Sequence, residues 1–240
     1  MSTTYETGHA KNVANFQRLI EFVTDYGTDY NPSKKSLQLP ALITLKTAAD
    51  STLLDVITKN TLFNNKSNSR ITEFSDLRPI ATRLVNALQA TDATPETIDG
   101  AKAYNRKIQG KRASDSQTPV NPNAPAPSNI SASQLSYDQQ IQHFTGLKSV
   151  LENEPTYSPN EKELQIPALD TKITNMTDIN TEVAAAYAKV SNSRIARDKI
   201  LYDGEDALLE TAGEIKKYIK SVFGAASPQY KQVSGLRFRK

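Results

Sequence analysis

Apolar residues recur three and four apart through most of this chain, a spacing that predicts helices joined by short polar turns. Val13, Phe16, Leu19, Ile20 and Val23 share one face of a helix expected from about His9 to Asp25, ended by Gly27. A second stripe runs through Leu42, Leu45, Ala49, Leu53, Val56, Ile57 and Phe63, and a third through Leu169, Ile173, Met176, Val183, Tyr187 and Val190. Both have the stepping of helices packed lengthwise against others. The third can be carried on to Leu201, Leu208, Ile215, Tyr218 and Val222, with Asn180, Arg194, Arg197 and Gly204 also falling on it. This favours one long, kinked helix in each half, with Pro79 adding a kink to the first and Gly204 and Gly213 loosening the second. Pro95 to about Gly110 predicts a short amphipathic helix with Ile98, Ala101 and Ile108 inward and Thr94 as its N-cap. The pattern resumes near residues 133–138, where Ile141, Phe144, Leu147, Val150 and Leu151 repeat the face of the first helix, Phe144 aligning with Phe16 and Leu147 with Leu19. Pro228 to Lys240 predicts a shorter, less regular closing segment.

The halves are related in sequence. Tyr30-Asn-Pro-Ser-Lys-Lys-Ser-Leu-Gln-Leu-Pro-Ala-Leu42 returns as Tyr157-Ser-Pro-Asn-Glu-Lys-Glu-Leu-Gln-Ile-Pro-Ala-Leu169, identical at eight of thirteen positions. Ser67-Asn-Ser-Arg-Ile71 returns unchanged as Ser191-Asn-Ser-Arg-Ile195. Two echoes in the same order point to one duplicated unit. Tyr30, Pro32 and Pro40, with Tyr157, Pro159 and Pro167, read as a structural turn leading into a helix. Asn160 with Glu163 suits an N-cap and its N3 carboxylate, and Ser33 can cap the earlier copy. Pro40 and Pro167 then either fall near the second turn and kink the helix, or mark a helix that begins just before each proline. The Ser-Asn-Ser-Arg-Ile element suits a turn by its small polar residues. It also suits a continuous helix, since it lacks Gly and Pro and the three-four stepping passes through it.

Between the halves, Ser114 to Ser128 holds Pro119, Pro122, Pro125 and Pro127 among Ser, Asn, Gln and Ala. This composition predicts a linker without a core, able to reach roughly 40–50 Å in a polyproline form. The expected organisation is repeat 1 over residues 1–113, linker over 114–131 and repeat 2 over 132–240, with residues 1–8 a short polar arm. The expected fold is all-α, two homologous helical repeats forming elongated antiparallel bundles with pseudo-two-fold symmetry. Apolar residues make up 38% of the chain and tryptophan is absent, which favours helices with one apolar stripe over a deeply buried core.

Net charge is +3, too small a bias to imply nucleic acid by itself. The first 113 residues carry 15 basic and 11 acidic groups, so the basic excess sits in repeat 1. No cysteine is present, which excludes disulfides and thiolate chemistry. The N-terminus lacks the basic and apolar regions of a secretory signal. No apolar run approaches the roughly 18 residues of a membrane helix. A soluble, cytoplasmic protein is expected.

No residue pattern points to catalysis. His9 and His143 are the only histidines; they stand at non-equivalent repeat positions, His143 aligning with Asn15, and neither has metal-ligand spacing. The glycines are scattered singly, without a phosphate-binding loop. Paired acids such as Glu152 with Glu154, and Glu161 with Glu163, fit helix starts. No cofactor, metal or small-molecule ligand is expected. The basic clusters carry more weight: Lys102, Arg106, Lys107, Lys111 and Arg112 close repeat 1, and Arg237, Arg239 and Lys240 close repeat 2. They can contact phosphates or a partner, while cations also favour helix C-termini on their own account.

The repeated Tyr-x-Pro segment, the Ser-Asn-Ser-Arg-Ile element and the ending Ser221-Val-Phe-Gly-Ala-Ala-Ser-Pro-Gln-Tyr-Lys-Gln-Val233 together resemble a family of uncharacterised bacterial two-repeat helical proteins. The resemblance covers nearly the whole chain apart from the linker. It implies an all-helical fold and a bacterial source, and no activity or site residues. The expected function is a non-enzymatic structural or protein–protein interaction module, with a protein partner or self-association. The alternative is a nucleic-acid-associated protein using the basic repeat ends.

Overall fold

The computed structural model describes residues 8–111 and 135–240, and among them every regular element is helical. The helices are α1 (His9–Asp25), α2 (Leu39–Phe74), α3 (Leu77–Gln89), α4 (Pro95–Gln109), α5 (Tyr137–Glu152), α6 (Ile166–Asp198), α7 (Leu208–Phe223) and α8 (Pro228–Ser234). The all-α expectation holds. The polar arm over residues 1–7, the linker over 114–131 and Arg112 lie outside the described residues.

Local chemistry explains where the helices begin. Thr94, Ser136 and Ser227 cap α4, α5 and α8, each side-chain oxygen accepting from the backbone N–H three residues on. Proline opens α4 and α8, where its fixed φ suits the first turn. The long helices begin differently. Short 3-10 turns at Lys35–Leu37 and Lys162–Leu164 lead to Pro40 and Pro167, each the second residue of its helix. There the missing N–H has no helical partner to lose. The prolines thus mark the helix start rather than a kink. The expected caps at Ser33 and Asn160 do not form: the carbonyl of Gln38 instead receives Ala41 and Leu42, and that of Gln165 receives Ala168 and Leu169. Glu163 is drawn away to Arg83, at 2.6 Å.

Both long helices run unbroken through Ser-Asn-Ser-Arg-Ile. Neither runs on to the end of its half, however, which corrects the expectation of one kinked helix. After Phe74, the N–H and the hydroxyl of Ser75 both bond the carbonyl of Thr72, at 3.1 and 2.7 Å, and α3 starts afresh at Leu77. Pro79 falls in the first turn of α3 and bends nothing. Beyond Asp198 the coil widens into a π-helical turn, Lys199–Asp203, closed by the N–H of Gly204 on the carbonyl of Lys199 at 2.9 Å. A Cβ at Gly204 would lie 2.7 Å from that carbonyl oxygen. Gly204 therefore ends the helix, whereas Gly213 sits inside α7 without interrupting it.

The described residues form two compact units that divide the chain differently from its repeats. One joins residues up to Phe63 with Ala186–Lys240; the other lies within Asn64–Ala185. The first unit's core holds Phe16, Leu19, Leu42 and Ala49 with Leu208, Ile215, Ile219 and Val233. The second unit's core holds Leu77, Leu84, Leu88 and Ile108 with Phe144, Leu147, Leu169 and Met176. Each core therefore combines the opening helices of one repeat with the closing helices of the other.

In the second unit α4 lies chiefly on α5, with the Tyr104 ring seated on Gly146, where a Cβ would fall 2.3 Å from Tyr104 Cε1. Gly146→Ala is expected to destabilise the chain by roughly 1–3 kcal/mol through overpacking, despite alanine's better helix propensity. Adding Tyr104→Leu should relieve most of the loss. Urea unfolding of the single and double variants checks both, and an unchanged midpoint for Gly146→Ala would exclude the close ring contact.

Candidate functional site

The repeated turn is a structural device in both copies. The Tyr30 hydroxyl donates to the Leu37 carbonyl at 2.8 Å, and the Tyr157 hydroxyl to the Leu164 carbonyl at 2.9 Å. Gln38 and Gln165 fold back onto the carbonyls of Pro32 and Pro159. Burial raises the pKa of both phenols, that of Tyr157 to about 12, so each stays a neutral donor. A cavity of 750 Å³ adjoins the later copy, lined by Arg83, Asn86, Asp92, Tyr157, Asn160 and Glu161 among others. Charge anchors the two turns with opposite polarity. Lys34 reaches Asp206 at 2.9 Å and Glu214 at 2.7 Å, while Glu163 pairs with Arg83. The carboxylates raise the Lys34 pKa, Glu214 foremost, and Lys34 lowers that of Asp206.

The two basic clusters have different fates. Lys102 pairs with Asp99 at 3.1 Å. Arg106, Lys107 and Lys111 are exposed around the end of α4, with the Lys107 ammonium 5.5 Å from the Tyr104 ring centre. At the other end, Lys240 pairs with Asp203 at 2.5 Å, and the main chains of Arg237 and Arg239 are bonded by Asn15 and Asn12. The clusters belong to different units.

Of the two copies of Ser-Asn-Ser-Arg-Ile, the first carries a polar chain. Arg70 Nη1 donates to Asn180 Oδ1 at 2.8 Å, its guanidinium lies 4.0 Å over the Tyr137 ring, and Asn180 Nδ2 donates to Asp138 at 2.7 Å. Arg194, the equivalent of Arg70, is exposed.

Two features escape the stripe reading of the sequence. Ile43, Leu54 and Ile57 lie on the outer face of α2 in the first unit, Leu54 64% and Ile57 62% exposed. Their separations of 11 and 14 residues are about three and four helical turns, so they share one side. The sequence pattern puts both Val56 and Ile57 on the inner seam; in the structure Val56 is the more covered and Ile57 faces out. A cavity of 390 Å³ adjoins this side, lined by Leu53, Val56, Ile57, Arg197 and the start of α1. Asn12 and Asn15 are the second feature: they are buried on α1 beside Phe16 and Leu19, and their three-residue spacing is the only sign of this in the sequence.

The histidines are packed groups. His9 Nδ1 lies 2.7 Å from the Tyr202 hydroxyl. His143 is 5% exposed on α5, and its Nε2 has no hydrogen-bond partner among the described residues. Among the described residues no group of three or more His, Asp or Glu side chains is placed to hold a metal ion, and no helix is long and apolar enough to cross a membrane. Comparison with protein-family models, curated proteins and solved structures finds no match for this chain.

Burial, then the nearby Lys107, lowers the His143 pKa below its ordinary 6.5. Protonation therefore opposes folding: stability is full above about pH 6.5 and falls as pH drops through the lowered value. The urea midpoint should fall between pH 7.5 and pH 5, and His143→Asn should flatten part of that fall. An identical pH slope in the variant would remove His143 from the effect. His9, lowered mainly by burial and by Arg197, contributes in the same direction.

Proposed function

We propose that the chain is a non-enzymatic structural or protein–protein interaction module, with a second copy of itself as the first partner to test. The observation that carries this reading is the outer side of α2 in the first unit, where Ile43, Leu54 and Ile57 stand exposed in one stripe beside an apolar-lined cavity. Fully burying such a side chain contributes about 1.5–3 kcal/mol, and these three are already partly covered. Association also costs several kcal/mol of lost freedom, so the stripe alone supports weak association, in the range of tens of micromolar or weaker.

We further infer that the repeats arose by duplication and are related by a pseudo-two-fold. The support is that Phe63 and Tyr187, separated by the same 124 positions as the two Ser-Asn-Ser-Arg-Ile copies, stack with ring centres 5.8 Å apart. The resemblance to bacterial two-repeat helical proteins belongs to the same reading.

A second reading rests on the end of α4. Arg106, Lys107 and Lys111 make no ion pair among the described residues and are exposed within six residues of one another, a spacing that suits phosphates. The closing segment of the chain gives this reading less, because Lys240 is paired.

Sedimentation velocity from 10 to 500 µM should show reversible association that Leu54→Glu with Ile57→Glu abolishes. A strict monomer across that range, with no protein retained on the immobilised chain, would sink the interaction reading. Gel shifts with DNA and RNA at two salt concentrations, with Arg106, Lys107, Lys111 and Arg112 neutralised, test the alternative. Binding indifferent to salt and to those changes would remove it.

A further inference from the structure

Residues 236–240 are non-helical, yet α1 and α7 hold them by the main chain. Lys216 on α7 donates to the carbonyl of Leu236. Asn15 Nδ2 donates to the carbonyl of Arg237 at 2.7 Å. Asn12 closes a two-bond ring on Arg239, its Nδ2 donating to the carbonyl at 2.6 Å and its Oδ1 accepting the N–H at 3.1 Å. Asn12 and Asn15 are 2% and 6% exposed. Standing three apart, they lie on one side of α1, and they bind alternate residues, 239 and 237, in the two-residue repeat of an extended segment.

A buried carboxamide left without partners is costly, because the hydration it loses is not replaced. Asn15 donates to this segment, and Asn12 makes two bonds there besides the one to the Tyr202 hydroxyl at 3.2 Å. Side chains enter between the main-chain bonds. Leu236 and Phe238 pack against the first unit's core, with the Lys216 ammonium 5.2 Å from the Phe238 ring centre. Lys240 reaches Asp203 and lies over the Tyr202 ring. Arg237 and Arg239 are exposed between them. Among the described residues the second unit shows no such Asn pair: Asn12 and Asn15 align with Gln140 and His143, and there α4 covers α5.

We propose that α1 and α7 form a docking groove that reads the main chain of an extended protein segment, taking a Leu-x-Phe-x-Lys pattern presented in trans. Residues 236–240 are its resident occupant. The Asn pair recognises backbone, the core edge accepts the leucine and the aromatic ring, and Asp203 selects the cation. This rests on the reading of the chain as an interaction module and names the chemistry of one partner. It does not involve the α2 stripe, so either can fail while the other stands.

The test uses a chain ending at Gly235 and a fluorescein-labelled peptide of residues 235–240, followed by polarisation, with circular dichroism to establish that the shortened chain is folded. Saturable one-to-one binding is expected. Asn12→Ala with Asn15→Ala should weaken it at least about tenfold, as should N-methylation of the peptide amide at position 239, which keeps every side chain and removes the N–H that Asn12 accepts. No saturable binding to the folded chain, or binding indifferent to both changes, overturns the proposal. Should the shortened chain unfold, the intact chain fluorinated on Phe238 takes its place. Millimolar peptide, matching the effective concentration of a tethered segment, then displaces the resident ring and moves its fluorine resonance. An unmoved resonance overturns the proposal equally.

Discussion

A helix of 36 residues rises roughly 54 Å, far more than one small core can cover, and α2 has this length. Leu42 and Ala49 enter the core containing α1, while Phe74 enters the core containing α3. Neither core can be completed from its own repeat. Helices α7 and α8 complete the first, and α5 with the opening of α6 completes the second.

The repeated turn makes this arrangement precise. In both copies a tyrosine hydroxyl spans seven residues to a carbonyl that a 3-10 turn would otherwise leave unpaired, and a glutamine closes the same loop. The two bonds tie the loop to the residues just before each long helix. The unlike positions between them fasten the turn to a helix of the other repeat: Lys34 to the acids around α7 and Glu163 to Arg83 on α3. The shared residues build the turn, and the differing ones choose its neighbour.

Equivalent positions elsewhere have diverged in use. Arg70 is threaded between Asn180 and Tyr137, while Arg194 is exposed. Asn15 binds the main chain of residue 237, while at the aligned position His143 is buried with a ring nitrogen that has no partner among the described residues. Lengths differ as well: α4 has 15 residues and α8 only seven. The shorter helix leaves a side of α1 uncovered by helix, and residues 236–240 lie there.

Local pattern determined a good deal. The limits of α1, the Thr94 cap and inward face of α4, the burial of Phe16 and Phe144 and the all-helical class were all readable. Each depends on residues within a few turns of one another, where helical spacing and capping act directly. Tertiary structure decided where the long helices stop, because the pattern of threes and fours passes unbroken across the break between two helices. It decided that each core draws on both halves of the chain, since partner choice depends on distant surfaces. It also decided that Ile57 faces out and Asn12 and Asn15 face in. Polarity alone assigns those positions the other way, and it is a backbone segment more than 200 residues downstream that receives both buried amides, with the Tyr202 hydroxyl also accepting from Asn12.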